Sequence, residues 1–180
     1  MTPQALLDFW FAPEHAKLWF NSTPEFDQQV RHLFESVWQA AKEGQLDDWE
    51  QTAEGTLALV ILLDQMPLNM YRGQAESFST EAQARAVAGR AIEQSFDIAL
   101  DHTGKAFLFM PFMHSEKLAD QDRAVELFAG AGLEENLKFA IHHRDIVRQF
   151  GRFPHRNEIL GRPNTEQEKV WLASKEAFHG

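Results

Sequence analysis

The chain contains no cysteine. Disulfides, thiolate nucleophiles and Cys-ligated metals are therefore excluded from the start. Tyrosine is almost absent as well, with one residue against fifteen Phe and five Trp. The aromatic mass is thus nearly all apolar, which predicts a bulky, dry interior. Alternation of period two over four or more residues, the mark of a half-buried strand, is scarcely present. The longest apolar run covers residues 57–63, far short of the roughly 20 residues that span a bilayer. The opening MTPQALLDFWF has neither the basic start nor the small-residue cleavage site of a signal peptide. Cations are in the minority, since 17 Lys and Arg against 27 Asp and Glu leave a net charge of −10. That balance argues against nonspecific nucleic-acid binding, which needs extended basic surface. Together these features predict a cytoplasmic protein with no nucleic-acid partner and no place in a membrane.

What remains is a helical pattern. A length of 180 residues with 44% apolar composition suits one domain, spanning 1–180, with a real core. Thr2-Pro3 and Thr23-Pro24 each read as an N-cap followed by proline at the first helical position. Behind the second, Phe26, Val30, Leu33, Phe34, Val37, Trp38 and Ala41 keep the 3.6-residue period until Gly44. A third helix, from near Thr52, is apolar all round and so should be buried on every side. Ser79-Thr80 opens an alanine-rich helix with Glu81 and Arg85 paired on its surface. Residues 101–104 read as a loop, and residues 107–116 as a short apolar helix whose successor is capped by Ser115. Gln121 interrupts the apolar stripe of that successor. Thr165 with Glu168 has the pattern of a capping box for a last helix carrying Val170, Trp171, Leu172 and Phe178. The prediction is an all-α single domain of about seven or eight helices in stacked antiparallel pairs.

One stretch runs against the acidic balance. Residues 139–162 hold Arg144, Arg148, Arg152, Arg156 and Arg162, with His142, His143 and His155, but only Asp145 and Glu158 as carboxylates. Either these cations meet the protein's own carboxylates and helix C-termini, or they hold an anionic ligand. His143 lies mid-stripe among Phe139, Ile146 and Phe150, whereas Arg144, Asp145 and Arg148 project from the other side of the same helix. A second awkward group is Asp64, a carboxylate in the last turn of the buried helix. It opposes the helix dipole and its charge is costly to desolvate, so it calls for a cation or a proton. Arg72 is the nearest candidate partner in sequence, and the arginines of the later stretch are the others.

Several spaced blocks match a known pattern: Phe9-Trp10-Phe11 with Trp19-Phe20; Leu63-Asp64-Gln65-x-Pro67-x-Asn69-x-Tyr71-Arg72-Gly73; Met110-Pro111-Phe112-x-His114-Ser115-Glu116; Asp120-Gln121; and His143-Arg144-Asp145-Ile146 continuing through Phe150-Gly151-Arg152-Phe153-Pro154-His155-Arg156-Asn157 to Leu160-Gly161-Arg162. In these the chain resembles the bacterial family designated domain of unknown function 924. The resemblance implies a fold similar to tetratricopeptide repeats and no established activity. Leu68 stands where the family pattern leads one to expect Arg, so this turn supplies one positive charge where two would be expected.

The polar residues in apolar surroundings are Asp64, Gln65, Asn69, Arg72, His114, Glu116, Gln121 and His143. Joined by Arg144, Arg152, His155, Arg156 and Asn157, they are candidates to line one polar pocket walled by aromatics. Three functions fit such a group. The first is a binding module whose arginines take an anionic small molecule or a peptide carboxylate. The second is a metal-independent enzyme using His, Asp or Glu as acid and base with arginine on an anion. The third is a scaffold for a protein partner, whose polar network fixes helix register. His114-x-Glu116 and the His142-His143 pair lack the spacing of a zinc helix, so no metal or other cofactor is expected.

Overall fold

The computed structural model describes residues 1–177; Phe178, assigned above to the last helix, lies outside them. The described residues form ten α-helices joined by turns and short 3-10 helices, with no strand. The fold is all-α, as the patterning predicts. Two of the ten, α2 and α5 below, are short helices that begin at or beside a proline, and the periodic pattern does not reveal them. The chain divides into two compact units, one of Met1–Arg72 with Glu76–Pro111, the other of Gly73–Ala75 with the chain from Phe112 onward. No helix among the described residues is long and apolar enough to cross a membrane.

The first unit contains α1 (Pro3–Trp10), α2 (Pro13–Ala16), α3 (Pro24–Lys42), α4 (Ala53–Asp64), α5 (Met66–Met70), α6 (Glu81–Glu93) and most of α7 (His102–Met113). Three threonines cap as their sequence signals require. Thr2 accepts from the Ala5 N–H, Thr23 from Phe26 and Thr52 from Gly55. Every residue of α4 except Glu54 is buried, and the helix packs against α1, α3 and α6. Each wholly buried aliphatic on it, such as Ile61, Leu62 and Leu63, contributes about 2 kcal/mol by leaving water. That sum holds a helix with no polar face in the middle of its unit.

Polar side chains tie this unit together at its helix ends. The Trp38 indole N–H donates to Thr80 Oγ1 at 3.1 Å, and the Thr80 hydroxyl donates to the Leu63 carbonyl at 2.6 Å. Thr80 precedes α6 as expected, but its side chain serves the last turn of α4 and does not cap α6. Glu81 is buried, 8% exposed, not on the surface; Arg85 reaches its carbonyl oxygen. The expected loop at 101–104 is the first turn of α7, because Asp101 Oδ1 accepts from the Gly104 N–H at 2.7 Å and so starts the helix early. Trp19 anchors the chain near its start by donating to the Trp10 carbonyl at 2.9 Å and packing edge-on to Phe107. Its neighbour Phe20 is 73% exposed, with its ring stacked on Phe107 at 6.3 Å between centroids.

The second unit holds α8 (Leu118–Gly130), α9 (Glu134–Phe150) and α10 (Glu166–Leu172). α8 and α9 pack along one another across a tight turn at Gly132, whose φ of +66° suits glycine. α9 stops at Gly151, left-handed at +71°, with its N–H returned to Val147. The capping box of α10 is complete: Thr165 Oγ1 accepts from Glu168 N, and the Glu168 carboxylate accepts from Thr165 N. Ile146, Val147, Phe153 and Trp171 close a small core under α10. Two apolar expectations fail here. Val170 is 74% exposed, and Phe139, one turn before the cover over His143 begins, is 57% exposed.

Gly55 marks where α4 meets the preceding turn most closely, since a Cβ there would lie 2.2 Å from the Trp49 carbonyl oxygen. Replacing Gly by Ala inside a helix normally favours the helix by about 1 kcal/mol. Gly55→Ala should instead lower stability by about 1–3 kcal/mol through overpacking. Urea denaturation measures it, and an unchanged or raised midpoint would mean that the turn moves aside freely.

Candidate functional site

Four of the candidate residues lie in the first unit. Asp64 and Gln65 are both buried at the end of α4, and Gln65 Nε2 donates to Asp64 Oδ2 at 2.7 Å. Arg72 does not turn back to Asp64. It forks onto Asp27 in the first turn of α3, Nε to Oδ2 at 2.6 Å and Nη2 to Oδ1 at 3.2 Å. The reason is packing, because α5, which leads into Arg72, lies against α3. Asn69 Nδ2 and Ser22 Oγ also donate to Asp27 Oδ1, at 2.8 and 2.7 Å. Burial pushes the Asp27 carboxyl up, and the donors Arg72, Ser22 and Asn69 more than reverse it, leaving its pKa below the ordinary value. Asp27 and Ser22 were not legible as partners from sequence. The only signal was an acidic residue in the first turn of a capped helix, which the helix dipole alone explains.

The other candidates lie in the second unit, where they fall into two groups. The first surrounds two carboxylates. Glu116 Oε1 accepts from the Phe153 N–H at 2.8 Å and from Arg162 Nη2 at 2.9 Å, and its Oε2 accepts from Arg162 Nη1 at 2.8 Å. Arg162 also donates from Nε to Asn157 Oδ1 at 2.9 Å and from Nη2 to the Phe153 carbonyl. Asn157, wholly buried, passes the chain of bonds on through its Nδ2 to Asn164 and Glu168. Glu168 then receives both arms of Arg152, at 2.7 and 2.8 Å, besides the Thr165 N–H. The remaining Nη2 contact of Arg152 goes to the Pro163 carbonyl. Glu116, Arg162, Asn157, Glu168 and Arg152 thus form one continuous network that fastens the segment between α9 and α10. Arg162 and Glu168 are its two principal members outside the candidate set. Arg162 was signalled by the cationic stretch and by the resemblance block ending Leu160-Gly161-Arg162, and Glu168 by the capping box.

The second group is the set of histidines with Arg156. His143 is 6% exposed, and its Nδ1 lies 2.7 Å from the Phe139 carbonyl. A carbonyl can only accept, so Nδ1 carries the proton. Burial drives the His143 pKa down to about 4; the hydrogen bond opposes this, and nearby His114, His142 and Arg156 add to it. The ring is therefore neutral at pH 7. Arg156 is 7% exposed, lies over the Phe153 ring at 5.0 Å, and donates from Nη2 to the His114 carbonyl at 3.1 Å. His155 stands 5.5 Å from the same ring. Gln121 is wholly buried and donates to the Met113 and Ser115 carbonyls. Ser115 donates to Asp120 and accepts from the Lys117 N–H, so it closes the turn before α8 and is not the N-cap itself. Arg144 and Arg148 remain at the surface with Asp145 and Asp122.

The arrangement holds charge out of water: Glu116 and Glu168 are committed to Arg162 and Arg152, while His143 is bonded to a backbone carbonyl. Among the described residues no group of His, Asp and Glu side chains is placed to share a metal ion. A shallow groove of about 740 Å³ lies elsewhere, between Gln149 of α9 and Val170 and Trp171 of α10, with Glu166 and Glu176 on its rim. None of the candidate residues lines it.

The two groups titrate in separate windows. His143 has its pKa depressed from 6.5 to about 4, so unfolding takes up a proton across that interval and stability falls as pH drops from 6.5 towards 4. Glu168 is held down from 4.5 to about 2, chiefly by Arg152; its contribution is complete above 4.5 and is lost as pH falls towards 2. Chemical denaturation at stepped pH should therefore show a two-stage decline. His143→Gln should flatten the upper stage and Glu168→Gln the lower one. A single stage, equally affected by both variants, would refute the assignment.

No curated protein matches the chain. A solved structure does: a protein of unknown function from Agrobacterium tumefaciens is 39% identical, with a TM-score of 0.89, over 95% of this chain and 96% of that one. The sequence pattern of the bacterial proteins of unknown function DUF924 matches residues 6–176. With Arg72, His114, Glu116, Gln121, Arg152 and Arg162 all inside that span, the chain belongs to the DUF924 family.

Proposed function

We propose that this protein is a helical binding module for another protein, and that its arginine-rich stretch holds the module together instead of meeting the ligand. The observation that carries the reading is the engagement of Arg162 with Glu116 and of Arg152 with Glu168 through two nitrogens each. A guanidinium already forked onto a carboxylate has little left with which to recognise a second anion. Successive helices that pack as pairs, α8 on α9 among them, support a tetratricopeptide-like stacking, and partner binding by helix faces follows from it by analogy. A buried, neutral His143 also supports binding over acid–base turnover. The cytoplasmic location expected from the sequence goes with this reading.

A second reading has one observation in its favour. Arg156, with His114 and His142, lies close enough to His143 to disfavour a positive charge on its ring. An anionic small molecule or a peptide carboxylate would be taken there by Arg156, with His155 and His114 beside it.

Thermal unfolding against phosphates, carboxylates and short peptides with free C-termini separates the two readings. A ligand at about 100 times its dissociation constant adds roughly 2.7 kcal/mol, several degrees in a chain of this size. The first reading expects no such shift. It also expects Arg162→Ala to cost about 3 kcal/mol, because Glu116 would be left half-buried without its cation. An anion-dependent shift abolished by Arg156→Lys, with unliganded stability unchanged, would overturn it in favour of the second.

A further inference from the structure

The side-chain amide of Gln121 is fixed by what it donates. Its Nε2 gives hydrogen bonds to the Met113 and Ser115 carbonyls, both at 2.6 Å. Carbonyl oxygens only accept, so the amide cannot be turned over without losing both bonds. Its oxygen is thereby held in one place, and Gln121 has no exposure to solvent. Oε1 has no hydrogen-bond partner among the described residues. A buried acceptor left in that state costs about 1–3 kcal/mol, and buried polar groups in native proteins are almost always met by protein or by ordered water.

The donor that meets Oε1 has to be small. Gln121 shares the inner face of α8 with Ala124 and Phe128, which are also wholly buried. It must also suit the end of α7, where the last carbonyls concentrate negative potential and favour donors. We propose that an integral water molecule sits against Gln121 Oε1, at the turn between α7 and α8. It donates one hydrogen to Oε1 and the other to the second lone pair of the Met113 or Ser115 carbonyl. The Arg156 guanidinium reaches the same turn, donating to the intervening His114 carbonyl at 3.1 Å. About three hydrogen bonds is the usual complement of a buried water. Such a water ties the end of α7 to the start of α8 through Gln121, and it explains why an amide occupies a position where the stripe of α8 is otherwise apolar.

Two measurements on the intact protein test this. A crystal structure at a resolution that shows ordered solvent should place a water at hydrogen-bond distance from Gln121 Oε1. Oxygen-17 relaxation dispersion should count one fewer long-lived water in Gln121→Met, which keeps the length of the side chain and removes its polar atoms. Should that variant fail to fold, the electron density of the unaltered protein decides alone. A protein donor on Oε1, density without a water there, or the same count of long-lived waters in a folded Gln121→Met would each overturn the proposal.

Discussion

A carboxylate that leaves water must be met by donors, and in the unit that begins at Phe112 two of them set the course of the chain. Glu116 follows the turn after α7, and Glu168 lies in the first turn of α10, 52 residues later by their numbering. Each takes both arms of an arginine and at least one backbone N–H. Asn157 joins the two sets, so the segment that follows α9 has little freedom to adopt another path. Burial alone would raise the Glu116 carboxyl; the Arg162 guanidinium and the Phe153 N–H bring it below its ordinary pKa instead. Favourable charge pairing thus outweighs desolvation here, and the pair stays ionised at neutral pH.

The same rule operates in the other unit on a smaller scale. Asp27 draws Arg72, Asn69 and Ser22 to the first turn of α3. This second network does not show the pairing that sequence proximity suggests. Arg72 is close to Asp64 along the chain and is bonded to a carboxylate 45 positions away. A carboxylate selects its cation by what helix packing brings near, and that information is not local. The cationic character of residues 139–162 is therefore largely an internal matter, with Arg152 and Arg162 serving as counter-charges to their own unit.

The features legible in the sequence were those governed by short-range rules. Thr2, Thr23 and Thr52 cap their helices, and Thr165 with Glu168 forms the complete capping box. The apolar run 57–63 gave a helix buried on every side for the same reason. Features set by tertiary context were hidden. Phe139 fits the apolar stripe of α9, yet the cover provided by Phe153 and Trp171 does not extend to it, and it faces solvent. α7 starts at His102, five residues before the apolar run from Phe107 that marks it in the sequence, because Asp101 accepts a single bond from the Gly104 N–H. Among the candidate residues, His143 and Gln121 were correctly marked as polar groups in a dry place, but they bond to backbone carbonyls, which no spacing rule announces; Asn157, not so marked, is wholly buried as well.

The account rests on Glu116 and Arg162 stabilising the fold through each other. A double-mutant cycle measures that directly, with Glu116→Gln, Arg162→Gln and the double variant compared with the unaltered protein by denaturant unfolding at neutral pH. The account predicts an interaction energy of about 1.5–3 kcal/mol, with the double variant losing much less stability than the two single losses added together. Additivity within about 0.5 kcal/mol would mean that the pair contributes nothing to the fold, and it would return Arg162 to the residues available for a ligand.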